Sequence, residues 1–415
     1  MVSPVSEYVS VRRALEDVLA LMTESRSTRT VSVREAYGEV SAEEVRSSVD
    51  VPPFTVSRMD GFAIRSSDTA RASEGTPAVL KIVDDIALGE RPKVKIQAGE
   101  AARVATGSFT PQGTDAVVPV EEVSARGSSL EVRRPAERES HRFAAGADVR
   151  EGSVAIRKGS RLRAQDIGLA ISLGIKRVEV YRRPRVAILA TGSELTDSDL
   201  DNGKTRNSHG PFFAMVARAT GCEPVNLGIA RDRKAEILAK LKKGLSSADL
   251  VLTTGGTSMG PFDLVDDAVR SLKPGALHHG IRMDRGRVTG VAVVRGKPVV
   301  MMPGPIQGAL NAFVLFALPA IRAISMAGDE TIRVRARLTR RWEARRRFSD
   351  FTKVVYLRLT EGARGLEAEP LSAETESMSL LVRSTAVTVV PEEVRSMEAG
   401  QEVEAMLLPG VSFSI

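Results

Sequence analysis

The apolar positions of this chain change their period several times, and each change marks an element. Over residues 8–24, Val11, Leu15, Val18, Leu19 and Met22 recur at helical spacing and predict an amphipathic helix. A short strand and then a helix are predicted over 29–45. From about 47 to 146 the apolar segments are short or alternating (78–83, 116–120, 129–132). Turn signals at Pro52–Pro53, Gly75, Gly89, Gly99 and Gly113 separate them, which predicts a β-rich region. Residues 124–142 are polar and charged, as in a solvated loop or hairpin.

Beyond residue 160 strands and helices alternate. A helix is predicted at 164–173 and a strand at 178–181, with a boundary at Arg182–Arg183–Pro184. Strands at 186–190, 224–228, 250–254, 276–281, 291–294 and 298–302 then follow. Between and after them come helices near 210–220, 233–245, 263–272 and 306–325. This pattern predicts a doubly wound α/β domain over 183–326, with a mainly parallel sheet covered on both faces. Strand character returns at 354–359, 386–390 and 402–408.

Composition narrows the function classes. The 415 residues are too many for one ordinary core, so several domains are expected. Aromatics make up only 4%, so the cores must be built from Val, Ile, Leu and Ala. A single cysteine, Cys222, excludes an intramolecular disulfide and a cysteine-cluster metal site. Its expected role is that of a small buried residue. No apolar run is read as long enough to cross a bilayer, and the polar N-terminus does not resemble a secretory signal. A cytoplasmic protein without a membrane partner is the expectation.

The formal charge is +7. Eight arginines fall between Arg333 and Arg347, but Arg333, Arg335 and Arg337 alternate with Val334, Ala336 and Leu338. That is a strand with one solvated face, and no interleaved aromatics offer a stacking platform. This argues against a nucleic-acid partner.

Ligands of parallel sheets bind outside the carboxyl ends of the strands. One such loop is Thr253–Thr254–Gly255–Gly256–Thr257–Ser258–Met259–Gly260. Paired glycines let backbone N–H groups converge on an anion, hydroxyls add donors, and the next helix adds its N-terminal amides. A plain strand-to-helix turn is the alternative. The hydroxyl residues and an acid at the helix start favour a phosphate-bearing ligand. Glu194, after the first strand, and Asp263 would lie on neighbouring loops. Two carboxylates beside a phosphate suggest Mg²⁺, although Asp263 could equally be a helix N-cap. Pro303–Gly304–Pro305 is either a close backbone approach to ligand or a helix start. His278–His279 reads as a strand end rather than a metal site.

Taken together, the loops resemble the molybdopterin molybdenumtransferase family, which includes the E domain of gephyrin. The segments that carry the resemblance begin with Met59–Asp60–Gly61–Phe62–Ala63, Thr106–Gly107 through Gly113–Thr114–Asp115–Ala116–Val117–Val118, and Gly146–Ala147–Asp148–Val149. Arg183–Pro184–Arg185–Val186 with Thr191–Gly192–Ser193–Glu194–Leu195, and the 253–260 loop with Asp263, complete the set. Each is weak alone; their order and spacing together are specific.

The resemblance implies a multi-domain α/β fold. Its parts would be an N-terminal helix (1–25) packing on the α/β domain and a linking domain (26–46 and 147–181). A β-rich inserted domain (47–146), a molybdopterin-binding doubly wound α/β domain (182–326) and a C-terminal β-barrel (327–415) complete it. It also implies a homodimer in which the segment around Asp60 and Thr106 reaches the other subunit. The implied activity belongs to molybdenum cofactor biosynthesis: Mg²⁺-dependent insertion of molybdate into adenylylated molybdopterin, with release of AMP. By motif match the catalytic carboxylates would be Asp60, Asp148, Glu194, Asp232 and Asp263, with Glu194 and Asp263 on the metal. Thr106, Gly255, Gly256, Thr257, Ser258, Arg287, Pro303 and Gly304 would hold the substrate.

The chain departs from the family pattern at Ser193, at Asn207–Ser208–His209, at Pro261 and, more seriously, in two further segments. A Lys–Pro–Gly–Lys–Pro segment reads Asp284–Arg285–Gly286–Arg287–Val288, and a Pro–Gly–Asn–Pro segment reads Pro303–Gly304–Pro305–Ile306. Asp284 would repel an anion unless paired, for which Arg285 and Arg287 are the nearest candidates in sequence. The alternative function is therefore a diverged paralogue that binds a pterin nucleotide or a protein partner without inserting metal.

Overall fold

The structure is a computed structural model. It describes residues 8–23, 27–198, 203–256, 263–327, 331–363, 365–372 and 377–409. Thr257 and Ser258, two of the expected ligand donors, lie outside the described residues.

The centre is a six-stranded sheet built from β1 (Arg185–Thr191), β2 (Glu223–Ala230), β3 (Leu250–Thr254), β4 (Ala276–His279), β5 (Gly290–Val294) and β6 (Lys297–Met302). Their order is β2-β1-β3-β6-β5-β4. The first four in that order run parallel, and β5 and β4 are antiparallel at one edge. β1 and β3 are apolar without alternation because both sheet faces are covered. Ile188, Leu252 and Val300 face a layer that holds helices Val11–Leu21 and His209–Ala219 and the long helix beginning at Ile306. Ala187, Leu189, Val251 and Met301 face the helices Lys234–Ser247 and Leu264–Arg270. The alternation of side chains along a strand thus splits one apolar run between two cores.

Helix Val11–Leu21 starts where Ser10 accepts a hydrogen bond from the Arg13 N–H (3.3 Å), and it buries Val11, Ala14 and Val18 against the sheet. Val9 also bridges to Ile281 beside β4.

The other predicted regions take three forms. Thr28–Ser32 pairs antiparallel with Arg177–Tyr181, and helix Ala164–Ser172 packs nearby. The β-rich region is a six-stranded sheet that includes Gly61–Ile64, Ala78–Ile86 and Glu100–Val104. The C-terminal strands close into a barrel. In Arg333–Leu338 the arginines are exposed while Ala336 and Leu338 are buried, which is the one-faced strand expected.

Two expectations fail. No helix follows the strand at 28–32; there is one 3-10 turn, Val33–Glu35, and the chain then reverses at Gly38 with φ +75°. A left-handed residue there ends any helical run. A run of bilayer-spanning length is also present, against expectation. Ile306–Ser325 is 20 residues long and apolar enough, but 83% of it is buried inside the molecule. It is the core helix of the α/β unit, with a π-helical insertion at Phe313–Ala317.

Candidate functional site

Strand order fixes where a site can form. From β1 the chain crosses to β2 on one side and then returns to β3 on the other, so the crevice opens between the carboxyl ends of β1 and β3. Ala190 is in register with Thr254, and the Thr191 hydroxyl donates to the Thr254 carbonyl (3.3 Å). The 191–194 and 253–256 loops therefore leave the sheet side by side.

Gly255 and Gly256 both have positive φ, +81° and +65°. A Cβ on Gly255 would meet the Thr191 carbonyl oxygen at 2.6 Å, and one on Gly256 would meet Thr191 Oγ1 at 2.5 Å. Both positions need glycine, for backbone angle and for space. The Gly255 N–H donates to the Met302 carbonyl (3.1 Å), and a Cβ added at Gly304 would lie 4.0 Å from the Gly255 Cα. Pro303 is buried and Gly304 exposed. The structure thus brings the 191–194, 253–256 and 303–304 segments to one place.

The carboxylates divide into two kinds. Glu194 is exposed and folds back over Gly192, where an added Cβ would lie 2.6 Å from either of its carboxylate oxygens. Its carboxylate has no protein partner among the described residues. Asp232 follows β2 and is locked to the neighbouring loop. It accepts from the Ser193 N–H (2.8 Å), and its own N–H donates to Ser193 Oγ (3.0 Å). Lys204 donates to the Ser193 carbonyl (2.8 Å).

Asp263 points inward. It is the N-cap of helix Leu264–Arg270, accepting from the Asp266 N–H (2.8 Å), and is 7% exposed. Its other oxygen lies 3.2 Å from His279 Nε2, at the end of β4. His278, beside it, contacts Asp17 at 2.8 Å. Both histidines end β4, the strand-end position the sequence suggested; each lies beside a carboxylate, and only His278 is hydrogen-bonded to it. Among the described residues no cluster of three or more His, Cys, Asp or Glu could by itself hold a metal.

Asp60 and Thr106 meet in the β-rich region. The Thr106 N–H and hydroxyl both donate to Asp60 Oδ1, at 2.7 and 2.9 Å. These two bonds, the backbone one foremost, hold the exposed Asp60 carboxyl below its ordinary range. Asp148 is exposed, and its backbone N–H donates to Val51 O (3.0 Å).

The 284–287 turn corrects the expectation about Asp284. Its partner is neither Arg285 nor Arg287 but Arg345, which comes from the C-terminal region and binds both carboxylate oxygens. Arg287 stacks on Phe348 at 4.8 Å, and Arg345 and Arg347 lie over the same ring at 5.2 and 5.5 Å. Sequence reasoning missed Arg345 and Phe348 because the Arg-rich stretch was read only as a solvated strand. The break of its alternation after Leu338 was the available signal.

A multidomain α/β protein that gathers glycines and acidic side chains at the switch point of its sheet is the class these features define. Comparison with known proteins then narrows it. Residues 9–174 match the model of the MoeA N-terminal region (domain I and II), and residues 187–323 that of a probable molybdopterin binding domain. The molybdopterin molybdenumtransferase of Staphylococcus epidermidis is 28% identical over 408 residues, 98% of this chain and 97% of its own. That of Staphylococcus aureus is 28% identical over 405 residues, 96% and 95% of the two chains. The solved structure of a molybdopterin biosynthesis MoeA protein from Pyrococcus horikoshii superposes with a TM-score of 0.84. It is 30% identical and covers 98% of this chain and 100% of that one. The chain belongs to the molybdopterin molybdenumtransferase family.

Proposed function

We propose that this protein inserts molybdate into adenylylated molybdopterin with release of AMP, in a Mg²⁺-dependent reaction. The observation that carries the reading is the convergence of Gly255–Gly256, Gly304 and the 191–194 loop at the β1–β3 crevice. Family membership supplies the chemistry that this convergence would serve. The Gly256 N–H would receive a phosphate oxygen, the Gly255 N–H being taken by the Met302 carbonyl, and the N-terminus of helix Leu264–Arg270 would add partial positive charge.

Donor chemistry fits Mg²⁺. That ion takes one or two carboxylates together with phosphate oxygens and water. Among the described residues nothing engages the Glu194 carboxylate, and Asp232 is fixed on the next loop. Glu194 would hold the ion, with Asp232 beside it. Asp263, the other ligand expected from sequence, would support the site from beneath by capping the helix that follows the glycine loop. Bound Mg²⁺ would neutralise phosphate charge and polarise the phosphoanhydride. Thr106 orients Asp60, and the exposed pair would complete the site from the second subunit of a homodimer.

A second reading has one observation in its favour. Asp284 is paired and Arg287 is stacked on Phe348, so the 284–287 turn is engaged with the C-terminal region. On that reading the protein binds a pterin nucleotide without inserting metal. Incubation with adenylylated molybdopterin, molybdate and Mg²⁺ separates the two. Release of AMP and appearance of active cofactor are expected. Nucleotide binding without AMP release would leave only the second reading.

A further inference from the structure

A cavity of about 570 Å³ lies at the opposite, amino-terminal edge of the central sheet. Arg185 opens β1, Glu223 opens β2, Lys297 opens β6, and Asp249 immediately precedes β3. Arg29, Arg182 and Arg183 complete the wall from the paired strand Thr28–Ser32 and the connection into β1.

Carboxylates do not match these cations. Glu39 Oε1 alone receives both Arg29 and Arg183, each at 3.0 Å. Asp249 is occupied by the backbone N–H of Arg185 (2.8 Å), and Glu223 lies 3.6 Å from Arg185 Nε. Lys297 donates to the carbonyls of Leu245 (2.7 Å) and Ala248 (2.8 Å), so it answers the open end of helix Lys234–Ser247. The arginines are therefore not needed there. Arg182 is exposed, and its guanidinium has no partner among the described residues. Five cations and two carboxylates thus line the recess, with Glu39 behind Arg29 and Arg183.

We propose that this cavity binds a compact, multiply charged oxyanion of the pyrophosphate class. Arg182 and Arg185 would be the principal donors, and Arg29 and Arg183 the flanking ones. Planar guanidinium forks suit such oxygens, and a recess favours a small anion over an extended polymer. The site is separate from the β1–β3 crevice and does not depend on the transferase reading.

Calorimetric titration of the full chain with inorganic pyrophosphate at low salt tests it. The wild type is expected to bind. Arg182→Ser/Arg185→Ser should weaken that event by roughly tenfold or more, because charge-assisted hydrogen bonds are lost. Arg126→Ser, an exposed arginine of the β-rich region, should leave it unchanged. Both changed arginines are exposed, so a thermal melt matching wild type would confirm that the double variant is folded. No binding by wild type, or undiminished binding by the double variant, overturns the proposal. So does a single-stranded oligonucleotide that displaces pyrophosphate and loses affinity in the same variant.

Discussion

Asp284 and Arg345 form a two-pronged ion pair that joins the turn after β4 to the C-terminal barrel region. The contact is reinforced by backbone: the Asp284 N–H donates to the Thr352 carbonyl (2.9 Å), and the Thr352 N–H donates to the Arg282 carbonyl (3.0 Å). Asp284 is 14% exposed and Arg345 47%, so the pair is partly screened. Its coupling should be about 1 kcal/mol, nearer to surface pairs than to buried ones. Asp284→Lys alone should lower stability, because it places a third cation among Arg345 and Arg287. Adding Arg345→Glu should recover much of the loss. Urea unfolding of the four proteins of this cycle measures it. Additive effects would show that the pair contributes no coupling.

The glycine loop makes the clearest steric prediction. Alanine at Gly256 would need left-handed backbone and would push against Thr191 Oγ1 and Val265 Cγ2. Gly256→Ala should cost about 1–3 kcal/mol and abolish nucleotide binding. Gly275 has no positive φ, and its nearest neighbours to an added Cβ are 3.9 Å away, so Gly275→Ala is the matched control. Equal melting temperatures for the two variants would refute the steric argument.

Much of the central domain was legible in the sequence because its strands are buried on both faces. Uninterrupted runs such as 186–190 and 250–254 have no other reading when helical periods lie between them. The strand alternation pointed to the loops at the carboxyl ends, whereas the crevice between β1 and β3 needed the strand order. What escaped was of two kinds. Partnerships between distant segments, such as Asp284 with Arg345 or Asp263 with His279, leave no local signal in a periodicity. The inward direction of Asp263 depends on where β4 ends, which residue spacing does not specify. The helix expected after residue 32 failed for a local reason, the reversal at Gly38.

Asp263 and Glu194 can be told apart by paired measurements. Asparagine caps a helix about as well as aspartate, so Asp263→Asn should keep most of the stability, whereas Asp263→Ala should lose about 1–2 kcal/mol. Glu194 is exposed and has no side-chain partner among the described residues, so Glu194→Gln should leave the melting temperature unchanged. In the proposed reaction Glu194→Gln should raise the Mg²⁺ concentration needed for half-maximal rate. Asp263→Asn should not. If Asp263→Asn shifts the Mg²⁺ dependence at unchanged stability, Asp263 is itself a ligand.

The two-subunit site has its own test. Asp60→Ala and Glu194→Ala chains, each inactive alone, should regain activity when unfolded, mixed and refolded together. If Asp60 of one chain serves Glu194 of the other, half the dimers are mixed and each holds one intact site. Recovery of roughly a quarter of wild-type activity is then expected. No recovery would place Asp60 and Glu194 in the same chain's site or remove one from it.

Cys222 gives a pH prediction with a definite sign. It is 3% exposed, and burial pushes its thiol up to about 11 from an ordinary value of 9.0. The Thr220 hydroxyl, 3.8 Å from the sulfur, only partly offsets that rise. The fold therefore prefers the protonated thiol. Its contribution to stability is fully present below pH 9 and is lost as pH climbs through about 11. Cys222→Ala should flatten the stability decline between those two values. At pH 8 the native thiol should react with a disulfide reagent only as fast as the chain opens, since the thiolate is the nucleophile. Rapid labelling of folded protein at that pH would show that the sulfur is not sealed in the core.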